Sequence, residues 1–278
     1  MVNNLFLKIK YRLFGYIKFK NNQDPEIIRN KISNEIKNTS KFIYGFDFYE
    51  KNYQQFLNYP ETIKNCEILF GKDFKFSNGG TVHHGHYGVK KIGNKLMPVA
   101  HIDSDFQYYK KEKEIIKLSY QVAKIGIYLQ SCDQKLNILA IPFTHLLARF
   151  LATIKLNKLI LIFLKFSSII FSFELIRKLF RIKIEPGDIV IFDCLLIHAS
   201  DVGEEVKKKF VIYSEVGKAA SMINFQLNNV VPRAMLEKIN QDINKVHARD
   251  PNRYSIQKEL YDGAINSFNN VLRNLRNQ

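Results

Sequence analysis

Cysteine is scarce in this sequence: three residues, Cys66, Cys132 and Cys194, odd in number, far apart and never spaced Cys-x-x-Cys. That excludes a disulfide framework and a zinc knuckle, and it points to a reducing compartment. Acidic residues are also few, 26 Asp and Glu against 42 Lys and Arg, for a formal charge of +16. Such a balance attracts anions: nucleic acid, an acidic membrane surface, or a phosphorylated or carboxylated substrate. Abundant Lys, Asn and Ile offer a plainer explanation, since nucleotide bias alone yields this composition. No apolar stretch reaches the ~20 residues of a spanning helix, because Lys165 interrupts the longest one. Lys8, Lys10 and Arg12 break up the N-terminal apolar residues before an h-region forms, so the expectation is a cytoplasmic protein. Internal repeats and low-complexity linkers are absent, which favours one domain with an ample core.

Apolar residues come in short runs bounded by turns. Over residues 1–20, Leu5, Phe6, Ile9, Leu13, Tyr16 and Ile17 recur at near-helical spacing among five basic residues. This predicts an amphipathic helix packed on the protein's own sheet, although a helix lying on an anionic membrane has the same pattern. Asp24 as N-cap and Pro25 at N1 open a second helix that carries Ile28, Ile32 and Ile36. The aromatic-rich stretch 41–75 reads as core material. Asn78–Gly88 is rich in glycine and holds His83, His84 and His86. It reads as a flexible loop near a site mouth, with metal binding the lesser alternative, because zinc sites pair histidine with cysteine or a carboxylate at defined spacing.

Met97–Asp103 reads as a short strand with Pro98 near its start. Positions 101 and 103 then share a face, so His101 and Asp103 reach one ion. Residues 110–119 form a charged connection. Ile125–Gln130 and Leu136–Ile141 are strand-like runs joined by a polar loop, the pattern of an antiparallel hairpin closed by Pro142-Phe143-Thr144-His145. Residues 155–183 form an apolar insertion with basic flanks, which predicts a buried or interfacial helix pair. Ile184–Ser200 then combines a Pro186-Gly187-Asp188 turn, an apolar strand and a terminal histidine, His198. In that strand Ile189, Ile191 and Asp193 share one face and Val190 and Phe192 the other. Phe210–Glu215 is a further strand, and two helical stripes, Leu236 to Val246 and Ile256 to Leu275, end the chain.

His101, Asp103 and His198 offer two imidazoles and one carboxylate. Such a facial set leaves positions open on an octahedral metal and suits Fe(II), whereas structural zinc takes a closed tetrahedron. The order of parts resembles the phytanoyl-CoA dioxygenase family of Fe(II)/2-oxoglutarate-dependent oxygenases. The matching pieces are His101-Ile102-Asp103, the strand 125–130, the loop 142–145, Pro186-Gly187-Asp188 and His198-Ala199-Ser200; counted through to the strand at Phe210, they cover somewhat less than half of the chain.

The resemblance implies a mainly β fold with helical additions: a double-stranded β-helix (jelly roll, cupin-like) flanked by N- and C-terminal helices. Residues 1–75 would be N-terminal support, 95–216 the jelly-roll core with the insertion 155–183, and 232–278 C-terminal helices, all one oxygenase-like domain. It implies iron held by His101, Asp103 and His198, with no catalytic residue beyond these ligands. It further implies 2-oxoglutarate bound by Ser200, two positions after the distal histidine, and by a basic residue eleven positions after it, Lys209. With O2, the implied reaction hydroxylates a small molecule of anionic or lipid-linked character while 2-oxoglutarate is decarboxylated to succinate. Asp103 favours hydroxylation over halogenation, because relatives that halogenate lack this carboxylate.

The sequence departs from the family pattern in three places. Lys209 stands where arginine is usual, which forfeits a bidentate fork and leaves the choice among Lys207, Lys208 and Lys209 open. The loop that usually reads Pro-Gly-Ser-His has Phe143 in place of the glycine. The insertion has no counterpart in the core pattern. These departures keep a second reading open: a jelly-roll binding protein without catalysis, peripheral to a membrane through 155–183 or 1–20. Nucleic acid is disfavoured as a partner, since the basic residues are dispersed and no base-stacking motif accompanies them.

Overall fold

A computed structural model of the chain describes residues 2–21, 23–36, 42–44, 53–85, 89–92, 95–103, 122–130, 136–154, 156–201 and 209–218. All belong to the first of two compact units, Met1–Met222. The connection 110–119, His86, Cys132 and the two C-terminal stripes lie outside the described residues.

Helix α1 (Val2–Phe14) stops at Gly15, whose left-handed φ of 80° lets its N–H donate to the Tyr11 carbonyl as a C-terminal cap. The helix expected over residues 1–20 is therefore shorter, and Tyr16–Lys20 forms strand β1. Helix α2 (Pro25–Ile36) begins as expected, with Asp24 Oδ1 accepting the Glu26 N–H at 2.9 Å. Strand β2 (Phe42–Tyr44), a 3₁₀ turn (Tyr53–Leu57), helix α3 (Pro60–Phe70) and strand β3 (Lys75–Gly85) follow. Next come strands β4 (Val89–Ile92), β5 (Lys95–Pro98), β6 (Val122–Tyr128) and β7 (Leu136–Ala140). The insertion begins earlier than the expected 155–183 and is three helices instead of a pair: α4 (Thr144–Thr153), α5 (Asn157–Ile170) and α6 (Glu174–Leu179). Strands β8 (Arg181–Ile184), β9 (Asp188–Asp193), β10 (His198–Ser200) and β11 (Lys209–Gly217) complete the described chain.

The strands form a double-stranded β-helix with helical additions. One antiparallel sheet has the order β1-β9-β6-β11-β3-β2 and the facing one β10-β7-β8, while β4 and β5 form a separate two-stranded pair. Alternation along each strand builds three cores. Between the sheets, Tyr128, Val190, Phe192, Val211 and Tyr213 meet Ile138, Ala140, Ile182, Ile184 and Leu196. Outside the large sheet, Ile125, Ile127, Ile189 and Ile191 pack under Ile28 and Ile32 of α2 and Phe70 of α3. Outside the small sheet, Leu139, Ile197 and Ala199 pack under Ala148 and Leu151 of α4 and Ile160 and Leu164 of α5. Each fully buried aliphatic side chain contributes roughly 1.5–3 kcal/mol. The insertion thus closes the small sheet against water.

Three expectations are corrected. β6 and β7 are not a hairpin: β6 lies between β9 and β11, and β7 between β8 and β10, so the chain changes sheets between them. β6 is buried on both faces save for the half-buried Lys124, and a strand covered on both faces takes a central place with two partners. The glycine-rich stretch around His83 and His84 is not a loop but part of β3, where His83 stands opposite Val211 on one side and Phe42 on the other. Long-range pairing on both edges outweighs the weak strand preference of glycine. Finally, Pro98 ends β5 instead of opening a strand, and beyond it the chain makes a single bridge, His101 to His198.

The Pro186-Gly187-Asp188 turn forms as expected. Asp188 N–H donates to the Glu185 carbonyl at 3.0 Å, and Gly187 takes the positive φ of 79° that the third position of a type II turn requires. The buried Asp188 carboxylate accepts the Glu185 N–H at 2.8 Å and pairs with Lys18 and Lys20, each at 3.2 Å, which fastens β1 to the start of β9.

Cys66 and Cys194 are free and buried, and burial pushes both thiols well up from their ordinary value. Alkylation of both by iodoacetamide at neutral pH is therefore expected to be at least ~100-fold slower in the native protein than in urea, as measured by peptide mass spectrometry.

Candidate metal centre

After β9 the chain turns tightly on Asp193, whose carbonyl accepts the Leu196 N–H and whose Oδ1 accepts the Leu195 N–H, each at 2.9 Å. The other Asp193 oxygen pairs with Arg149 of α4. This turn delivers His198 to the edge of the small sheet. There His101 and His198 exchange main-chain hydrogen bonds, 2.9 Å in one direction and 3.0 Å in the other. One bridge therefore sets two imidazoles side by side, with ring centroids 4.3 Å apart. Asp103 is held by its own N–H, which donates to the Cys194 carbonyl at 2.9 Å.

The residues flanking the two histidines point the other way. Ala100, Ile102, Ile197 and Ala199 enter the core beneath α4 and α5. Polar links reinforce that anchorage: Ala100 N–H donates to Ser168 Oγ of α5, and Ile197 N–H donates to Thr144 Oγ1 at the start of α4, both at 3.0 Å. The insertion that looked foreign to the core pattern thus braces the backbone next to both histidines.

The side-chain chemistry suits a cation. His101 Nδ1–H donates to the Val99 carbonyl and His198 Nδ1–H to the Leu196 carbonyl, both at 2.9 Å and both two residues upstream. A carbonyl only accepts, so each Nδ1 carries the hydrogen, and the neutral form of either ring has its lone pair on the Nε2 that faces the site. Burial foremost, and then the neighbouring His101, lower the His198 pKa to about 3, which keeps that ring neutral. His198 Nε2 lies 3.5 Å from Asp103 Oδ2, and His101 Nε2 lies 4.0 Å from Asp103 Oδ1. Two donors about 2.1 Å from one ion stand at most about 4.2 Å apart, and both distances meet that limit. All three ligand atoms lie within 4.8 Å of one another. Three electron-pair donors facing one point fit a divalent metal.

Of the two residues expected to bind a cosubstrate, Ser200 lies on β10 two positions from His198, and alternation puts it on that histidine's face. Lys209 opens β11 opposite Gly85, two residues before the interior Val211. Phe143 explains the missing glycine of its loop: it adopts the left-handed backbone itself, with φ of 66°. For a side-chain-bearing residue this costs about 1 kcal/mol, and the turn into α4 survives.

One neighbour was missed from sequence. Lys124 of β6 places its ammonium 3.8 Å from Asp103 Oδ1, 3.7 Å from Glu215 Oε1 and 5.6 Å from the centroid of the Tyr213 ring. The available signal was a lysine inside the apolar run Val122–Tyr128, one position out of phase with Ala123 and Ile125.

Solved structures share this fold. The non-heme alpha ketoglutarate dependent epimerase SnoN from nogalamycin biosynthesis matches with a TM-score of 0.52 at 11% identity, over 78% of this chain and 84% of that one. A second SnoN structure is a complex with Fe3+, alpha ketoglutarate and nogalamycin RO. EctD from S. alaskensis with bound Fe matches with a TM-score of 0.50 at 9% identity, over 77% and 76% of the two chains. No family model matches the sequence, and no curated protein matches it. At these identities the likeness establishes the fold.

Proposed function

We propose that the protein is an Fe(II)- and 2-oxoglutarate-dependent oxygenase, akin to the phytanoyl-CoA dioxygenase family, that hydroxylates a small molecule of anionic or lipid-linked character. The observation that carries this reading is the convergence of His101 Nε2, His198 Nε2 and the Asp103 carboxylate, with both ring tautomers set by backbone carbonyls. A SnoN structure that holds Fe3+ and alpha ketoglutarate and an EctD structure that holds Fe, both of the same fold, support it.

In this reading His101, Asp103 and His198 hold Fe(II) on one face. Ser200 and Lys209 bind the distal carboxylate of 2-oxoglutarate, the hydroxyl by a hydrogen bond and the ammonium as a point charge. Bound together with O2, iron and 2-oxoglutarate supply the oxidation of a substrate C–H bond and the release of succinate. The chain's own part is to hold and to exclude water. Phe192 packs on the His198 ring with centroids 4.6 Å apart, and the apolar interior between the sheets keeps solvent from that imidazole. Lys124 offsets the negative charge of Asp103 and Glu215.

Purified protein supplied with Fe(II), 2-oxoglutarate and O2 is expected to release succinate slowly even without its substrate. Lys209→Ala is expected to raise the KM for 2-oxoglutarate about tenfold or more, with kcat changed less. Wild-type protein that binds no Fe(II) and releases no succinate would end this reading.

A further inference from the structure

The insertion is apolar on two sides. On α5, Ile160 and Leu164 are buried beneath the small sheet, while Leu159, Ile162, Phe163, Phe166 and Ile169 form a second, exposed stripe at helical spacing. On α4, Phe150 is 59% exposed, and on α6 Leu175 and Leu179 are each 78% exposed. A helix apolar all round belongs in an interior, and large contiguous apolar patches are uncommon on monomers. Helix α1 meets the start of α4 by its C-terminal end, while its Leu7 and Tyr11 pack on the core outside the large sheet. Its Leu5, Phe6, Ile9 and Leu13 are exposed, the Phe14 ring lies 5.9 Å from that of Phe143, and His145 Nε2–H donates to the Arg12 carbonyl at 3.0 Å. The end of α1 therefore abuts the start of α4.

Charge identifies the occupant. Residues 142–184 hold eight Lys and Arg and one carboxylate, Glu174. Lys158 and Lys165 of α5 are exposed among the apolar side chains. Such a face fits the boundary between anionic headgroups and acyl chains. A second copy of this chain, docked by the same face, would set these cations against one another. No described helix is long and apolar enough to cross a membrane, so the contact is one that lies in the interface plane.

We propose that α4, α5 and α6 form a docking surface that binds this protein in plane to an anionic lipid membrane. The test is flotation of the full chain with vesicles of phosphatidylcholine alone or with about 30% phosphatidylglycerol, the anionic lipid supplying the surface potential. The protein is expected to float with the anionic vesicles and to stay behind with the neutral ones. The triple change Phe150→Glu, Phe166→Glu and Leu175→Glu touches only exposed positions, so it keeps the wild-type thermal midpoint and lowers the bound fraction about tenfold or more. Lys158→Glu with Lys165→Glu, a variant that leaves the apolar stripe intact, weakens anionic binding about tenfold or more. The proposal is overturned by a chain that floats with neither vesicle, as when residues 223–278 or a second copy cover the face. It is equally overturned by equal binding to both vesicles, or by binding that neither variant reduces. Succinate release plays no part in these readings, so this proposal and the proposed activity stand or fall separately.

Discussion

Asp103→Ala is expected to abolish Fe(II) retention and to lower succinate release by more than about a hundredfold, since even outer-shell changes cost 10–100-fold in metal affinity or activity. The carboxylate is the one anionic donor of the set, and its oxygens lie 3.5 Å and 4.0 Å from the two imidazole nitrogens. Without it, two neutral rings face a dication alone. The variant still folds, because the Asp103 N–H bond to the Cys194 carbonyl is main-chain and the flanking Ile102 keeps its place in the core. Iron content after desalting, succinate release and the thermal midpoint of the metal-free protein are the three readouts. A variant that retains iron and activity at wild-type levels would remove Asp103 from the site.

The second large effect is on stability. Asp201 follows β10 and its side chain is only 1% exposed, with Arg181 Nε 2.6 Å and Arg177 Nε 3.4 Å away. Its main-chain N–H donates to the Asn137 carbonyl at 3.0 Å. This one residue therefore ties together α6, β7, β8 and the end of the histidine-bearing strand. Asp201→Ala leaves two partly buried guanidinium groups without that counter-charge, and breaking such a pair costs about 3–5 kcal/mol, here nearer the lower figure because Arg181 is 25% exposed. Urea unfolding should show the loss as a lower midpoint with an unchanged slope. Asp201→Asn keeps the shape and removes the charge, so a comparable loss there assigns the effect to electrostatics and not to packing.

Much of this arrangement is legible in the residues. The Pro186-Gly187-Asp188 turn has its own chemistry, and the alternation from Ile189 to Asp193 sorts that strand's faces correctly, Ile189 and Ile191 outward and Val190 and Phe192 inward. His101, Asp103 and His198 were singled out by donor type, and the fold brings them together. Local pattern stops short where partners are distant in sequence. Nothing in Leu136–Ala140 announces that it pairs with β8 and β10 instead of the preceding strand. His83 and His84 sit in a glycine-rich stretch that only pairing with β11 and β2 makes a strand. The insertion read as an addition because the face it covers is assembled from residues distant in sequence, Ala100 from one stretch and Ile197 and Ala199 from another. Lys124 reads as one basic residue among 42, and its position beside Asp103 follows from the sheet register.

Crystals grown without oxygen in the presence of Fe(II) and 2-oxoglutarate test the central claim most directly, through anomalous scattering at the iron edge. The expected result is one iron per chain, about 2.0–2.2 Å from His101 Nε2, His198 Nε2 and an Asp103 oxygen, with 2-oxoglutarate on the open side. An iron bound elsewhere, or no iron beside these three residues, would contradict the account.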